Sequence, residues 1–471
     1  MANTQTEAKS NAANVVGVAG VPFSEALRTY ARIAILSFGG PAGQIAVMHR
    51  IFVEEKKWIG ETRFLHALNY CMLLPGPEAH ELVIYVGWLL HRIRGGVAAG
   101  VLFVLPGLVT LGLLSWIYSA FGQIGIVQAA FFGLKAAVLA VVLDAVLRIG
   151  RRSLKSNALI GTAVAAFVGI FVFKLPFPLL IATAAALGFL GSRIDPSWFA
   201  PTSHGAAGKA SEATTLIDRM FADGVPEHVR PSISRFAGVA LIGGAIWLAP
   251  LIALLVTAGP NNVFTNVALF NSKMAVVTFG GAYAVLAYMA QQAVEHYHWL
   301  KPGEMLIGLG FAETTPGPLI CVVQFVGYMA AFRQPGTLAP AFAGTLGGVL
   351  AMWSTFVPPF IWIFAGGPYV EAIIGNRSLG GALSAIAAAV VGVILNLAVW
   401  FSLHVIFGTL EPVRTIGMQV SLPVLSSVNW RALILSIAAA IAIFRFRIGM
   451  IAVLGTSCLA GVLWYLASGT T

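Results

Sequence analysis

Two helix-breaking clusters set inside apolar sequence recur in this chain at a fixed spacing. Ser37-Phe38-Gly39-Gly40 and Leu74-Pro75-Gly76-Pro77 return 241 residues later as Thr278-Phe279-Gly280-Gly281 and Thr315-Pro316-Gly317-Pro318. Between them, Val53-Glu54 and Trp58 recur at the same offset as Val294-Glu295 and Trp299. The chain is therefore a duplicated unit. Backbone broken by Gly and Pro is tolerated at membrane depth only where protein or a cavity covers it. Interruptions at matching positions of two halves point to a transporter-type binding site.

Composition fixes the class. The chain is 58% hydrophobic and 10% charged, with mean hydropathy +0.86; a soluble domain carries about 25% charge. Apolar runs of about 18 residues or more recur along its length, as in a polytopic helical membrane protein. The fold expected is all-α, with two homologous, inverted repeats containing broken, re-entrant half-helices. The net charge of +10 sits in short basic clusters between apolar runs, which is the pattern of membrane orientation and not of nucleic-acid binding. Cys71, Cys321 and Cys458 are scattered and form no disulfide or zinc pattern.

Residues 1–23 read as a disordered cytoplasmic tail, with no basic start followed by an apolar core as in a signal peptide. The first membrane repeat is expected over 24–192. A polar cytoplasmic linker follows over 193–235, then an extra transmembrane helix over 236–258 without a counterpart in the first half. The second repeat is expected over 263–471. The first four apolar segments of each half run 13 to 17 residues or so, roughly 20–25 Å at 1.5 Å per residue. That is short of a hydrocarbon core about 30 Å thick. They fit as half-helices meeting at the Pro-Gly-Pro and Gly-Gly clusters. Lys56, Lys57, Arg63, Arg92, Arg94, Arg148, Arg151, Arg152 and Lys155 all follow even-numbered segments, placing those ends and the N-terminus in the cytoplasm. One extra span between two even-membered units inverts the second. Arg377, Arg445 and Arg447 agree with this; Lys301, Arg333, Arg414 and Arg431 do not.

The turns at Pro75-Gly76-Pro77 and Pro316-Gly317-Pro318 open helices at Glu78 and Leu319. The glycine pairs Gly39-Gly40 and Gly280-Gly281 open two more. Each helix start exposes unpaired N–H groups and about half a positive charge. Four such ends converging make an anion site built from backbone donors, with Gly allowing close approach. The alternative is that these clusters are packing kinks. Ionisable groups inside the membrane are functional by default. Glu78, His80 and Glu81 follow the first turn directly; Glu78 and His80 are candidates for proton coupling, with helix capping the alternative for Glu78. Lys273 and Arg28 are candidate substrate contacts, as is the neutral donor Gln44. Lys135 and Lys273 either meet an anion or pair with Asp144, Glu304 or Glu313. No phosphate-binding loop GxxxxGK[ST] is present, and no metal site or cofactor is expected.

Phe38-Gly-Gly-Pro-Ala-Gly-Gln44, Leu74-Pro-Gly-Pro-Glu-Ala79, Tyr85-Val-Gly-Trp88 and Leu105-Pro-Gly107 resemble the first-half motifs of the chromate ion transporter family. Phe279-Gly-Gly281 and Thr315-Pro-Gly-Pro-Leu319 resemble its second-half motifs, and the likeness runs over about 24 to 466 in the long two-domain form. His80 departs from the pattern, where a smaller polar residue is expected. The resemblance implies export of chromate from the bacterial cytoplasm across the inner membrane, with sulfate as a competing analogue, and no enzymatic activity. The partners expected are the anion and the lipid bilayer; a homodimer is left open. Rival readings are an oxyanion channel, a transporter of another anion such as sulfate, and a membrane-embedded transferase, for which no acidic pair or basic cluster is present.

Overall fold

The computed structural model describes residues 20–38, 40–199, 215–222, 224–277, 282–370, 377–415 and 418–469. The first repeat opens with four short helices: α1 (Phe23–Leu36), α2 (Gly40–His49), α3 (Glu61–Cys71) and the beginning of α4 (Glu78–Phe121). Helix α4 is two helices in one label. At His91 and Arg92 the backbone leaves helical geometry, with Arg92 at φ 54°, so 78–91 folds back along 93–121. The hairpin closes because small residues face one another: a Cβ on Gly87 would strike the Gly95 carbonyl, and Gly96 and Gly100 sit under Phe364 and Phe360. Glycine at such crossings lets backbones approach and supplies packing where lipid offers no hydrophobic drive.

Three longer helices complete the first repeat: α5 (Gly125–Ser153), α6 (Asn157–Phe171) and α7 (Phe177–Ile194). A short helix, α8 (Leu216–Ala222), belongs to the linker, and α9 (Ile233–Thr257) crosses alone. Leu241, Ile242, Ile246, Ile252 and Val256 on α9 are all exposed, as suits a lipid-facing span.

The second repeat repeats the plan with α10 (Val263–Val277), α11 (Ala282–Gln291), α12 (Glu304–Thr314), α13 (Val322–Arg333), α14 (Pro340–Phe356) and α15 (Pro358–Gly366). It ends in α16 (Arg377–Ile406), α17 (Trp430–Phe444) and α18 (Met450–Ser468). Helices α13 and α14 form the matching hairpin, with Gly327 against the Gly347 carbonyl. The duplication extends to single hydrogen bonds. Helices α2 and α11 both end in a π-helical turn, at Arg50–Glu55 and Gln292–His296. Both turns are followed by a left-handed residue, Lys57 (φ 51°) and His298 (φ 53°). Trp58 N–H donates to the Phe52 carbonyl at 2.9 Å, and Trp299 N–H to Ala293 at 2.8 Å.

The short helices of the first repeat all end on one face. Lys56 pairs with Glu25 at 2.7 Å, His91 meets the Val21 carbonyl at 2.8 Å, and Arg63 pairs with Asp218 of the linker at 2.8 Å. Those of the second repeat end on the other, where Arg333 reaches Glu304 and the Trp299 carbonyl. The 93–121 stretch, roughly 40 Å long at ~1.5 Å per residue, starts at the first face and carries Tyr118 to Glu304 at the second. The repeats are therefore inverted, with α9 providing the odd crossing.

Two features depart from the sequence expectation. A two-stranded antiparallel hairpin, β1 (Leu410–Thr415) with β2 (Met418–Pro423), follows α16, so the fold is helical with one small sheet. Also, Leu319 opens a 3₁₀ turn, Leu319–Cys321, before α13 proper begins at Val322. Gly87 stands ten residues after Pro77, whereas Gly327 stands nine after Pro318. A 3₁₀ turn rises about 2.0 Å per residue against 1.5 Å in an α-helix, which offsets most of the missing residue.

Candidate functional site

The two Pro-Gly-Pro turns meet at the centre of the molecule. Gly317 (φ 115°) lies against Gly107 of α4, and Gly76 (φ 156°) against Pro359 of α15. Gly317 thus packs on the second arm of the first repeat's hairpin, and Gly76 on the helix that follows the hairpin of the second. The second turn is tied to the first repeat by the end of α1 and by α2: Gly317 N–H donates to the Ser37 carbonyl at 2.9 Å, and the Gln44 amide donates to the Gly317 carbonyl at 2.6 Å. Both bonds are buried and span the repeats.

A small cavity lies between these parts, lined by Pro41, Gln44, Pro77, Glu78, Ala79, Pro318, Leu319 and Ile320. It faces the N-terminal turns of α4 and of the 319–333 helix. The first helical bonds there are Glu81 N–H to Pro77 and Cys321 N–H to Pro318. The N–H groups of Glu78, Ala79, Leu319 and Ile320 consequently have no helical acceptor. Helix α2, starting at Gly40 (φ 75°), brings a third N-terminal end beside them. Positive potential at such ends favours an anion. Arg152 reaches Glu78 with its field, and Arg148 reaches Glu313; the two arginines are four apart and share a face of α5.

Pro75, Gly76, Pro77, Glu78, Pro316, Gly317, Pro318, Gly40 and Gln44 are therefore gathered at or beside one cavity. Gly39, Gly280 and Gly281 lie outside the described residues. Arg28 and Lys273 do not line the cavity; both are exposed on the outer faces of α1 and α10. His80 turns the other way, its Nε2 against the Gly100 carbonyl at 3.2 Å and its ring among Phe103, Phe356 and Phe360. The carboxylates open to Lys135 and Lys273 have other hydrogen-bond partners, although Lys135 lies beside Gly303 within charge reach of Glu304. Asp144 takes Arg148, Glu304 takes Arg333, and Glu313 accepts from Tyr283 at 2.6 Å. Arg333 wins Glu304 because the hairpin end brings it there, a contact no local spacing signals. Glu81, an ionisable group after the first turn to which the sequence assigned no role, is the acid that the structure sets apart. It is fully buried, and neither oxygen has a hydrogen-bond partner.

The chromate transporter family model matches residues 24–189 and 265–462, one stretch in each repeat. The chain belongs to the chromate transporter family. It is 31% identical over 427 residues to a chromate transport protein of Pseudomonas aeruginosa, covering 89% of this chain and 91% of that one. A chromate transport protein of Cupriavidus metallidurans is 25% identical, over 78% of this chain and 79% of its own. A probable chromate transport protein of Synechococcus elongatus is 24% identical, over 79% and 82%. No solved structure matches.

Proposed function

We propose that the chain is a secondary transporter that moves chromate from the cytoplasm across a bacterial inner membrane, binding it between the half-helix ends. One observation carries this reading: N-terminal turns from both inverted repeats, with Gln44, face a single cavity. Chromate is a tetrahedral dianion whose oxygens accept hydrogen bonds, so convergent backbone donors suit it, and sulfate presents the same surface. Gly39, Gly280 and Gly281 flank the same centre in sequence and belong to this site in the proposal. Arg28 and Lys273 act at the periphery in this proposal. Glu78 lines the cavity and provides an ionisable group beside the anion; His80 braces the hairpin behind it.

Orientation follows from charge. The face carrying Lys56, Lys57, Arg63, Arg92 and Arg94 is cytoplasmic in this reading, which places the N-terminus and the 193–235 linker inside. The units 24–192 and 263–471 then rock about the shared centre, with 236–258 as the connecting span. With the interior negative, outward movement of each negative charge is favoured by about 2.3 kcal/mol per 100 mV. No nucleotide is needed for that.

Uptake of labelled chromate by everted vesicles tests the reading. Saturable uptake that is inhibited by sulfate and falls when an ionophore collapses the potential is expected. Uptake rising linearly with chromate concentration would favour a channel. Uptake equal to that of vesicles lacking the protein would sink the proposal.

A further inference from the structure

Glu81 is the most isolated acid in the described structure. It sits one turn into α4, three residues after Glu78 and thus on the same helix face. Its side chain is completely buried, and both carboxyl oxygens lack a hydrogen-bond partner. The carboxyl lies directly behind the first Pro-Gly-Pro turn: a Cβ at Gly76 would stand 2.5 Å from its Oε1. Pro77 and Glu78 of that turn line the cavity. The titratable groups within reach are Glu78 on its own helix and Cys71 and Tyr70 on α3; α15 meets the turn with Pro359. Among the described residues no lysine or arginine reaches it.

An ionised carboxylate buried without donor or cation costs far more than a neutral one. The closed arrangement seen here therefore requires Glu81 to hold a proton. The second repeat carries no such requirement, because the corresponding position, 240 residues on, is Cys321, which packs beside Gly107. At this position only the first repeat has a carboxylic acid.

We propose that Glu81 is a proton-binding site that loads when the cavity closes, so that occlusion of the anion is linked to uptake of a proton. This rests on the anion-site reading above. When the cavity is open, water reaches the turn and Glu81 ionises. Closure around the anion removes that water, and the carboxylate must first accept a proton, passed from bulk solution by Glu78 at the cavity wall. The balance is one carboxylate plus one proton giving one carboxylic acid. Because anion and proton favour the same closed state, each strengthens the binding of the other by the same factor.

The test uses full-length protein in weakly buffered detergent with a pH indicator, and chromate and sulfate as probes. Anion addition near neutral pH should draw in about one proton per anion bound. Apparent affinity should fall by up to about tenfold per pH unit on the alkaline side. Glu81→Gln, neutral and of the same shape, should fold, bind both anions and show neither effect. Proton uptake by Glu81→Gln equal to wild type overturns the proposal. So does anion binding by wild type with no proton uptake, which leaves the anion-site reading standing. Absence of anion binding by wild type removes both.

Discussion

Gly317 shows what a single residue decides. Its φ of 115° lies where L side chains are strained, and its carbonyl and N–H both bridge to the other repeat. An added methyl would touch Gly107 at ordinary contact distance, 3.4 Å, so the cost of Gly317→Ala is conformational, about 1–3 kcal/mol. We expect this variant to reach the membrane in normal amount and to lose most chromate transport. Membrane yield and vesicle uptake measured together check it, and uptake at the wild-type rate would return the turn to a packing role. Gln44→Ala removes the donor to Gly317 and leaves a buried carbonyl short of one partner. A loss of about 1–3 kcal/mol should appear as a lower melting temperature in detergent.

At the scale of elements, two ion pairs that look alike should behave differently. Arg333 holds the end of α13 to Glu304 at 2.7 Å, and the Glu304 side chain is only 9% exposed. Arg32 holds Glu55 at 2.6 Å, but both side chains are at least a third exposed. Arg333→Ala removes the cation from a largely buried carboxylate, leaving it the Tyr118 hydroxyl and the Lys301 N–H, and should cost about 1–3 kcal/mol. Arg32→Ala should cost less than about 1 kcal/mol, because solvent screens the pair. Thermal melts of the two variants decide it. The linker adds a pH effect. His228 packs edge-on against Trp88, and burial, helped by nearby Arg92, holds its imidazole down to about 4 from an ordinary 6.5. The folded value is depressed, so the undocked form binds more protons as pH falls. Docking of 215–235 should be firm above about pH 6.5 and loosen towards pH 4, read as faster proteolysis in the linker. His228→Phe should flatten that response.

For the whole molecule, the inverted plan predicts labelling from opposite sides. Residue 94 follows the first hairpin turn and 334 ends α13, and both are exposed. In a variant lacking Cys71, Cys321 and Cys458, Arg94→Cys should react with an impermeant thiol reagent only in everted vesicles. Gln334→Cys should react only in right-side-out cells. Labelling of both from one side would refute the inversion.

The sequence alone determined the duplication, the membrane class and the identity of the two turns. These follow from local causes: apolar length, the Gly and Pro that stop helices, and a repeat that needs no fold to be seen. The places where the half-helices break also follow, because Pro77 and Pro318 cannot continue a helix from before them, but the 3₁₀ turn at Leu319–Cys321 does not. What only the tertiary structure decided is which partners meet across the repeats. Gly317 against Gly107, Gln44 on the Gly317 carbonyl and Arg333 on Glu304 join residues far apart in the chain, chosen by the hairpin crossings. The contrast among Glu78, His80 and Glu81 has the same origin. Neighbours on one helical turn, they point respectively into the cavity, into an aromatic cage and into a pocket with no partner. Spacing gives their directions about the helix axis, but only packing decides what lies in each direction.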